Sequence, residues 1–287
     1  MRHGFLLIDK PVGPTSHDVV GTVRRTLGER SIGHLGTLDP LASGLMVLAV
    51  GRKALKVVEF FNDLPKSYDA VLQCGAVSTT YDMEGVIEEL PRKAGWEPPV
   101  DASRIQALID DHFVGKIHQV PPAYSAVSIG GERAYRKARR GEAVELPGRD
   151  VTISSCTIVH YAYPRITLRV TCEAGTYIRS LAHDLGHKLG CGAYLTALRR
   201  TQVGDWPLDD AVSLDAVTWT SVLPLKDVLQ SFPQRVLTDD EWEHLQHGRL
   251  INGTCKPVTV AWYDDLPVAI LEESHKFPGK IKPRKVL

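Results

Sequence analysis

One carboxylate stands out among the residues able to do chemistry. Asp39 lies in Gly33-His34-Leu35-Gly36-Thr37-Leu38-Asp39-Pro40-Leu41-Ala42-Ser43-Gly44, a run of small and apolar residues punctuated by three glycines. Immediately afterwards, Leu45-Met46-Val47-Leu48-Ala49-Val50 reads as a buried strand. An aspartate on a glycine-bounded loop beside a rigid strand suits a positioned nucleophile or base. The same residues also fit a plain Asp-Pro turn or a helix cap. Local chemistry leaves both readings open.

A second group is His183-Asp184-Leu185-Gly186-His187, which sets two histidines four apart on a predicted helix, a spacing that can bind zinc. Against a metallohydrolase, aspartate replaces the usual catalytic glutamate, Gly186 weakens the helix and no third ligand stands out. Five cysteines (Cys74, Cys156, Cys172, Cys191, Cys255) are scattered and lack Cys-x-x-Cys spacing. That argues against a disulfide framework and against a zinc ribbon.

The elements that must position these groups follow from hydrophobic periodicity. Phe5 to Ile8 is a short apolar strand, and Thr15-Ser16-His17-Asp18 fits a capping box ahead of Val19, Val20, Val23 and Leu27. Ala54, Leu55, Val58 and Phe61 suggest a helix, as do Ile105, Leu108, Ile109 and Phe113. Tyr68 to Val77 has strand character, and residues 91–100 read as a linker. Gly130-Gly131 separates a short strand at Val127 to Ile129 from a basic segment. From Arg165 to Cys172, apolar and polar residues alternate strictly, giving a strand with one buried face. After Gly175, Ile178, Leu181, Ala182, Leu185 and Leu189 recur at helical spacing. Arg179 sits at the start of that helix and off its apolar stripe, where it can point into a cleft. Beyond about residue 230 the pattern turns β-rich, with strands at Val258 to Trp262 and Val268 to Leu271. The irregular alternation predicts an α+β fold.

A chain of 287 residues with 43% hydrophobic and 24% charged residues has the make-up of an ordinary globular protein of one or two domains. No apolar run approaches the ~20 residues that span a bilayer, and no signal peptide is read at the start, so a cytoplasmic location is expected. Net charge is zero, but Arg133, Arg136, Lys137, Arg139 and Arg140 crowd one segment, and the tail after His275 is basic. Acids gather at Asp82 to Glu89, Asp101, Asp110 and Asp111. Such asymmetry can create a basic, RNA-facing surface. A solvated helix and a ragged tail account for it equally well.

Five motifs, in order along the chain, resemble those of the TruB family of tRNA pseudouridine synthases. They are Asp9-Lys10-Pro11-x-Gly13-x-Thr15-Ser16, the Asp39 segment, Lys66-Ser67-Tyr68, Val120-Pro121-Pro122-Ala123-Tyr124-Ser125-Ala126, and Gly175-Thr176-Tyr177-Ile178-Arg179. The resemblance implies a pseudouridine synthase fold, with a mixed, largely antiparallel sheet flanked by helices. It further implies a catalytic domain at 1–230 and a small β-rich, PUA-like RNA-binding domain at 231–287.

The implied reaction is conversion of uridine 55 in the T arm of tRNA to pseudouridine, on a flipped-out base and without cofactor or metal. Asp39 is then the catalytic carboxylate, Arg179 its cationic partner, and Tyr68 a ring stacked on the uracil that also takes part in proton removal. His34 helps extract the nucleotide, Tyr177 and Leu198 line the base pocket, and Lys10 is a phosphate or structural contact. The resemblance favours the stand-alone bacterial type over the RNA-guided one, acting as a monomer with no obligatory protein partner. A non-catalytic tRNA-folding module on the same scaffold is the other reading. Leu35 departs from the threonine of many bacterial relatives.

Overall fold

The computed structural model describes residues 3–90, 96–99, 101–125, 127–129, 131–142, 144 and 146–287. Most of the expected 91–100 linker, Ala126 of the fourth motif and Gly130 fall outside them. The main sheet uses strands β1 (Gly4–Lys10), β2 (Ile32–His34), β3 (Ala42–Val50), β4 (Lys66–Cys74), β5 (Gly115–Gln119), β6 (Arg149–Ala162), β7 (Arg165–Cys172) and β8 (Ala193–Val203). Across it the order runs Val212–Ser213, β1, β3, β8, β4, β7, β6, β5. Neighbours are antiparallel except that β8 runs parallel to β3 and Val212–Ser213 parallel to β1. The sheet is therefore mixed and largely antiparallel, in an α+β fold.

Side-chain alternation sorts the sheet into separate cores. Phe5 and Leu7 of β1, with Leu45, Val47 and Ala49 of β3, face one apolar cluster. Leu6, Ile8, Met46, Leu48 and Val50 face the other side, where helix α1 (Ser16–Leu27) supplies Val19, Val20, Val23 and Leu27. Farther along, Tyr68, Ala70 and Leu72 of β4 and Ile166, Leu168 and Val170 of β7 pack with α2 (Ala102–His112) and α3 (Ile178–Lys188). Fully burying a large apolar side chain contributes ~1.5–3 kcal/mol, so each cluster pins its helix. Thr15 caps α1, with a reciprocal capping box to Asp18.

Hydrophobic periodicity does not reveal strand β8 in the sequence. Its register shifts between Leu195 and Ala197 and again between Arg200 and Gln202. Such bulges break the period-two pattern by which a strand is recognised. Yet β8 is the hinge of the fold, since it joins β3 through Leu198, Arg199 and Arg200 and β4 along its whole length. Gly44 makes the first junction possible: with φ at 98°, a Cβ there would lie 2.3 Å from the Arg200 carbonyl oxygen.

A second sheet follows, built from Gln234–Val236, Thr259–Tyr263, Leu266–Glu273, Lys280–Val286 and Ile251–Asn252. Its Val260, Trp262 and Ile270 join the cluster of Phe5, Leu7 and Val47, so it is packed against the first sheet. Three of the basic tail residues are paired with acids. Lys282 meets Glu272 at 2.9 Å, and Arg284 and Lys285 meet Glu59 at 3.2 and 3.3 Å. No helix among the described residues is long and apolar enough to cross a membrane.

Gly186 looks like a flaw in α3, but a Cβ there would sit 2.0 Å from the Ala193 nitrogen and 2.4 Å from the Gly192 carbonyl carbon. The helix gain of ~1 kcal/mol on replacing glycine by alanine is smaller than the overpacking cost, ~1–3 kcal/mol and at times more. Gly186→Ala is expected to lower the free energy of unfolding by about 1 kcal/mol or more. A urea titration showing equal or greater stability would contradict that packing.

Candidate active site

The Asp39 loop is held from several directions. The Ser16 hydroxyl donates to the Leu38 carbonyl at 2.9 Å and accepts from the Leu38 N–H at 2.8 Å. Gly13 N–H donates to the Pro40 carbonyl (2.8 Å), and Ala42 N–H to the Asp39 carbonyl (3.0 Å). The Arg200 guanidinium donates to the Leu45 carbonyl (2.6 Å) and the Gly36 carbonyl (3.2 Å). Lys10 is fully buried, and its ammonium donates to the carbonyls of Pro11 (2.9 Å) and Ala42 (2.7 Å). Of the two roles expected for Lys10, this placement supports the structural one, because a buried ammonium does not reach a phosphate. Leu35, the departure from the motif, is buried in the cluster around Phe5 and Leu45, so apolar packing takes over that position.

Asp39 and Arg179, 140 residues apart in sequence, meet in an ion pair, with Nε 3.1 Å from Oδ2. Arg179 is not spent on Asp39 alone. Its Nη1 lies 3.2 Å from the Asp82 carboxylate and donates to the Thr80 carbonyl at 3.2 Å, and its Nη2 donates to the Tyr124 carbonyl at 2.9 Å. Nearly the full fork of donors is used. The two carboxylates differ in access: the Asp39 side chain is 38% exposed and that of Asp82 is 3% exposed. Asp39 is thus the one a substrate can reach, and Asp82 the one that holds the cation.

Electrostatics sharpen the difference. Burial pushes the Asp39 carboxyl above the ordinary aspartate value, and the adjacent Asp82 pushes the same way. The Arg179 guanidinium and, more weakly, Lys10 oppose that rise. Burial also lowers the Lys10 ammonium and raises the Tyr68 phenol, so the phenol stays protonated at neutral pH.

Tyr68 on β4 faces Arg200 of β8 and Val170 of β7 across the sheet. With Leu198 it joins the apolar cluster containing Leu38, Leu41 and Ala42, directly beneath the Asp39 loop. Both side chains show only a thin edge to solvent. Tyr177 caps α3, and the buried Gln119 clamps it, donating to its carbonyl (3.0 Å) and accepting from its N–H (2.8 Å). The Arg149 guanidinium lies 5.1 Å from the Tyr177 ring centroid. His34 ends β2, half-buried, with the His17 ring edge-on at 6.0 Å. Burial lowers its pKa, so the imidazole is neutral.

The structure therefore gathers Asp39, Arg179, Tyr68 and Leu198 around one point, with His34 on the strand that leads into the loop. Asp82, Arg200, Ser16 and Gln119 escaped sequence reasoning as parts of this machinery. Asp82 reads in sequence as one more acid in a polar run, and Ser16 as a residue inside the Thr15–Asp18 capping motif. The rings of His183 and His187 pack edge-on at 4.3 Å and 70°. Among the described residues no three His, Cys, Asp or Glu side chains are placed to hold a metal ion.

The fold is similar to that of solved structures. The chain aligns over 99% of its length with a protein in a structure titled "Crystal Structure of a Cbf5-Nop10-Gar1 Complex", with TM-score 0.70, 24% identity and 84% of that chain covered. It aligns equally fully with "Structure of H/ACA RNP bound to a substrate RNA containing 2'-deoxyuridine", with TM-score 0.69 and 23% identity. The fold is that of the pseudouridine synthases.

Residues 24–178 match the profile of the TruB family pseudouridylate synthase N-terminal domain, and 179–238 that of the tRNA pseudouridylate synthase B C-terminal domain. Tyr177 and Asp39 thus fall in one profile and Arg179 in the other. The chain is 43% identical over 285 residues to tRNA pseudouridine synthase B of Thermobifida fusca, covering 95% of each. To the protein of that name in Opitutus terrae it is 42% identical over 226 residues, covering 78% of this chain and 90% of the relative. The chain belongs to the TruB family of pseudouridylate synthases, which are isomerases.

Removing one partner of a buried ion pair costs ~3–5 kcal/mol, because the remaining charge is left short of acceptors. Asp82→Ala is expected to lower stability by about 3 kcal/mol and to cut turnover strongly, although Asp82 itself is closed to substrate. Denaturant unfolding and single-turnover kinetics check both, and an unchanged turnover would remove Asp82 from the site.

Proposed function

We propose that this enzyme isomerises uridine 55 in the T arm of tRNA to pseudouridine, using Asp39 as the reacting carboxylate. The observation that carries the reading is the contrast within the Arg179 network. A buried cation is fixed by Asp82 and two carbonyls, and its remaining edge is turned to a carboxylate that solvent reaches. The names of the relatives support tRNA as the substrate.

The chemistry suits the donor set. The bond from the ribose carbon to N1 of uracil breaks, the base turns, and a bond from C5 to the same ribose carbon forms. C5 loses a proton and N1 gains one, with no redox change and no net hydrolysis. The reaction itself calls for neither metal nor organic cofactor. Asp39 acts by attack on the ribose carbon, by addition to the uracil ring, or by taking a ribose proton; each needs the anion that Arg179 favours. A protonated Tyr68 stacks on the base, an interaction contributing ~1–3 kcal/mol, and its hydroxyl takes part in removing the C5 proton, passing its own proton to solvent as it accepts that one. Tyr177 and Leu198 complete the pocket.

Extrusion of a base from a folded T loop costs a few kcal/mol, and the neutral His34 ring offsets part of it by occupying the vacated stack. We assign the catalytic domain to residues 1–230 and a PUA-like RNA-binding domain to 231–287. In this reading the enzyme works as a cytoplasmic monomer.

Asp39→Asn changes little volume but removes the anion. It is expected to abolish pseudouridine formation on a T-arm stem-loop while RNA affinity stays within a few-fold. Near wild-type turnover by this variant would refute the assignment of Asp39, and turnover on a stem-loop with cytidine at 55 and uridines elsewhere would refute the target.

The pH profile gives a second check. Burial favours the protonated acid, so the folded-state value lies above the ordinary aspartate value. Single-turnover rate is therefore expected to fall, as pH drops, through a group titrating above that ordinary value. An acid limb at or below it would show that another group controls the rate.

A further inference from the structure

Between the two residues that accept from Arg179 Nη1 stands Tyr81, whose backbone is left-handed at φ 64°. For a residue other than glycine that conformation costs on the order of 1–2 kcal/mol, so something in the surroundings must hold it. The Tyr81 ring lies flat on the ring of His183, with centroids 3.9 Å apart and planes 16° apart. His187 meets His183 edge-on at 4.3 Å. Arg179, His183 and His187 follow one another at intervals of four on α3 and so share one face of the helix.

The backbone bonds of this segment run elsewhere. Tyr81 N–H donates to the Ser78 carbonyl (3.0 Å), Leu195 N–H to the Tyr81 carbonyl (3.0 Å), and Met83 N–H to the Leu195 carbonyl (2.9 Å). These tie residues 78–83 to one another and to β8. The ring stack ties them to α3, one turn beyond Arg179. His183 Nδ1 is buried without a hydrogen-bond partner among the described residues, so on that side packing holds the ring. Burial drives the pKa of His183 down to about 4, which keeps the imidazole neutral and suited to stacking.

We propose that the Tyr81–His183 stack is a positioning pair for the reaction: it sets the spacing between α3 and the Thr80–Asp82 segment, so that Asp82 and the Thr80 carbonyl fix Arg179 against Asp39. Neither ring touches the reacting atoms in this assignment. Both act through the orientation of the guanidinium, where misplacement by an ångström can lower a rate about 100-fold. The inference rests on the reading of Asp39 and Arg179 as the working pair.

The test measures single-turnover rate, apparent RNA affinity and thermal stability on a T-arm stem-loop for His183→Ala, His183→Phe, Tyr81→Gly and Asp39→Asn. His183→Ala is expected to lose on the order of 10- to 100-fold in rate with affinity within about twofold, and His183→Phe, which keeps a flat ring, to recover most of it. Tyr81→Gly relieves the left-handed strain while removing the stack, so the rate falls without a matching loss of stability. In an Asp82→Asn background His183→Ala adds little further loss, because both act through one guanidinium. Wild-type rates in His183→Ala and Tyr81→Gly would overturn the proposal, as would a His183→Phe enzyme no better than His183→Ala. An Asp39→Asn enzyme that still turns over would instead refute the underlying reading, so the two failures are distinguishable.

Discussion

A guanidinium that is 7% exposed has to find acceptors for its N–H groups inside the protein, and the architecture of this enzyme follows from how Arg179 finds them. A cation withdrawn from water is tolerated only when paired and hydrogen-bonded. Two carboxylates and two backbone carbonyls meet that need, from three segments far apart in sequence: Asp39, Thr80 with Asp82, and Tyr124. Two carboxylates share that cation, with the Lys10 ammonium as a weaker second one. On the more open carboxyl, burial and then the acidic neighbour push upward against both cations. Structural demand and chemical competence have the same origin.

The rest of the fold keeps that cluster in register. β8 is parallel to β3 and antiparallel to β4, which sets the loop before β3 beside Tyr68 of β4 and brings in Arg200 to bind the loop's carbonyls. Helix α3 leads into β8 through a turn so close that Gly186 admits no side chain. Arg179 at one end of that helix and Leu198 on the strand after it therefore reach the same site from a single rigid unit. Ser16 adds a third support, since the first residue of α1 grips both polar groups of Leu38.

Charge behaves differently at the two ends of the molecule. In the basic tail, which in sequence suggests an RNA-facing surface or a ragged end equally, Lys282 pairs with Glu272 of the same sheet, and Arg284 and Lys285 reach Glu59 of the first part of the chain. The histidines spaced for zinc pack on one another and on Tyr81. In both cases residue types that advertise binding are used in packing, because neighbours supplied by the fold reach them first.

Much of this was legible in the chain itself. Strict alternation from Arg165 to Cys172, the capping box at Thr15 and the apolar run after Gly44 each reflect a local rule, so strand β7, helix α1 and strand β3 could be read from nearest-neighbour pattern alone. Motif order placed Asp39 and Arg179 in one family of sites. The pairing of Asp82 with Arg179, the clamp of Arg200 on the loop, the burial of Lys10 and the existence of β8 were not legible. Those features join residues tens to more than a hundred positions apart, and bulges in β8 erase the periodicity that marks a strand. Local sequence determines which segments fold and which face is apolar, because those depend on a few neighbouring side chains. Which acid is sealed in and which stays open to substrate depends on what the rest of the chain stacks over each, and only the tertiary structure decides that.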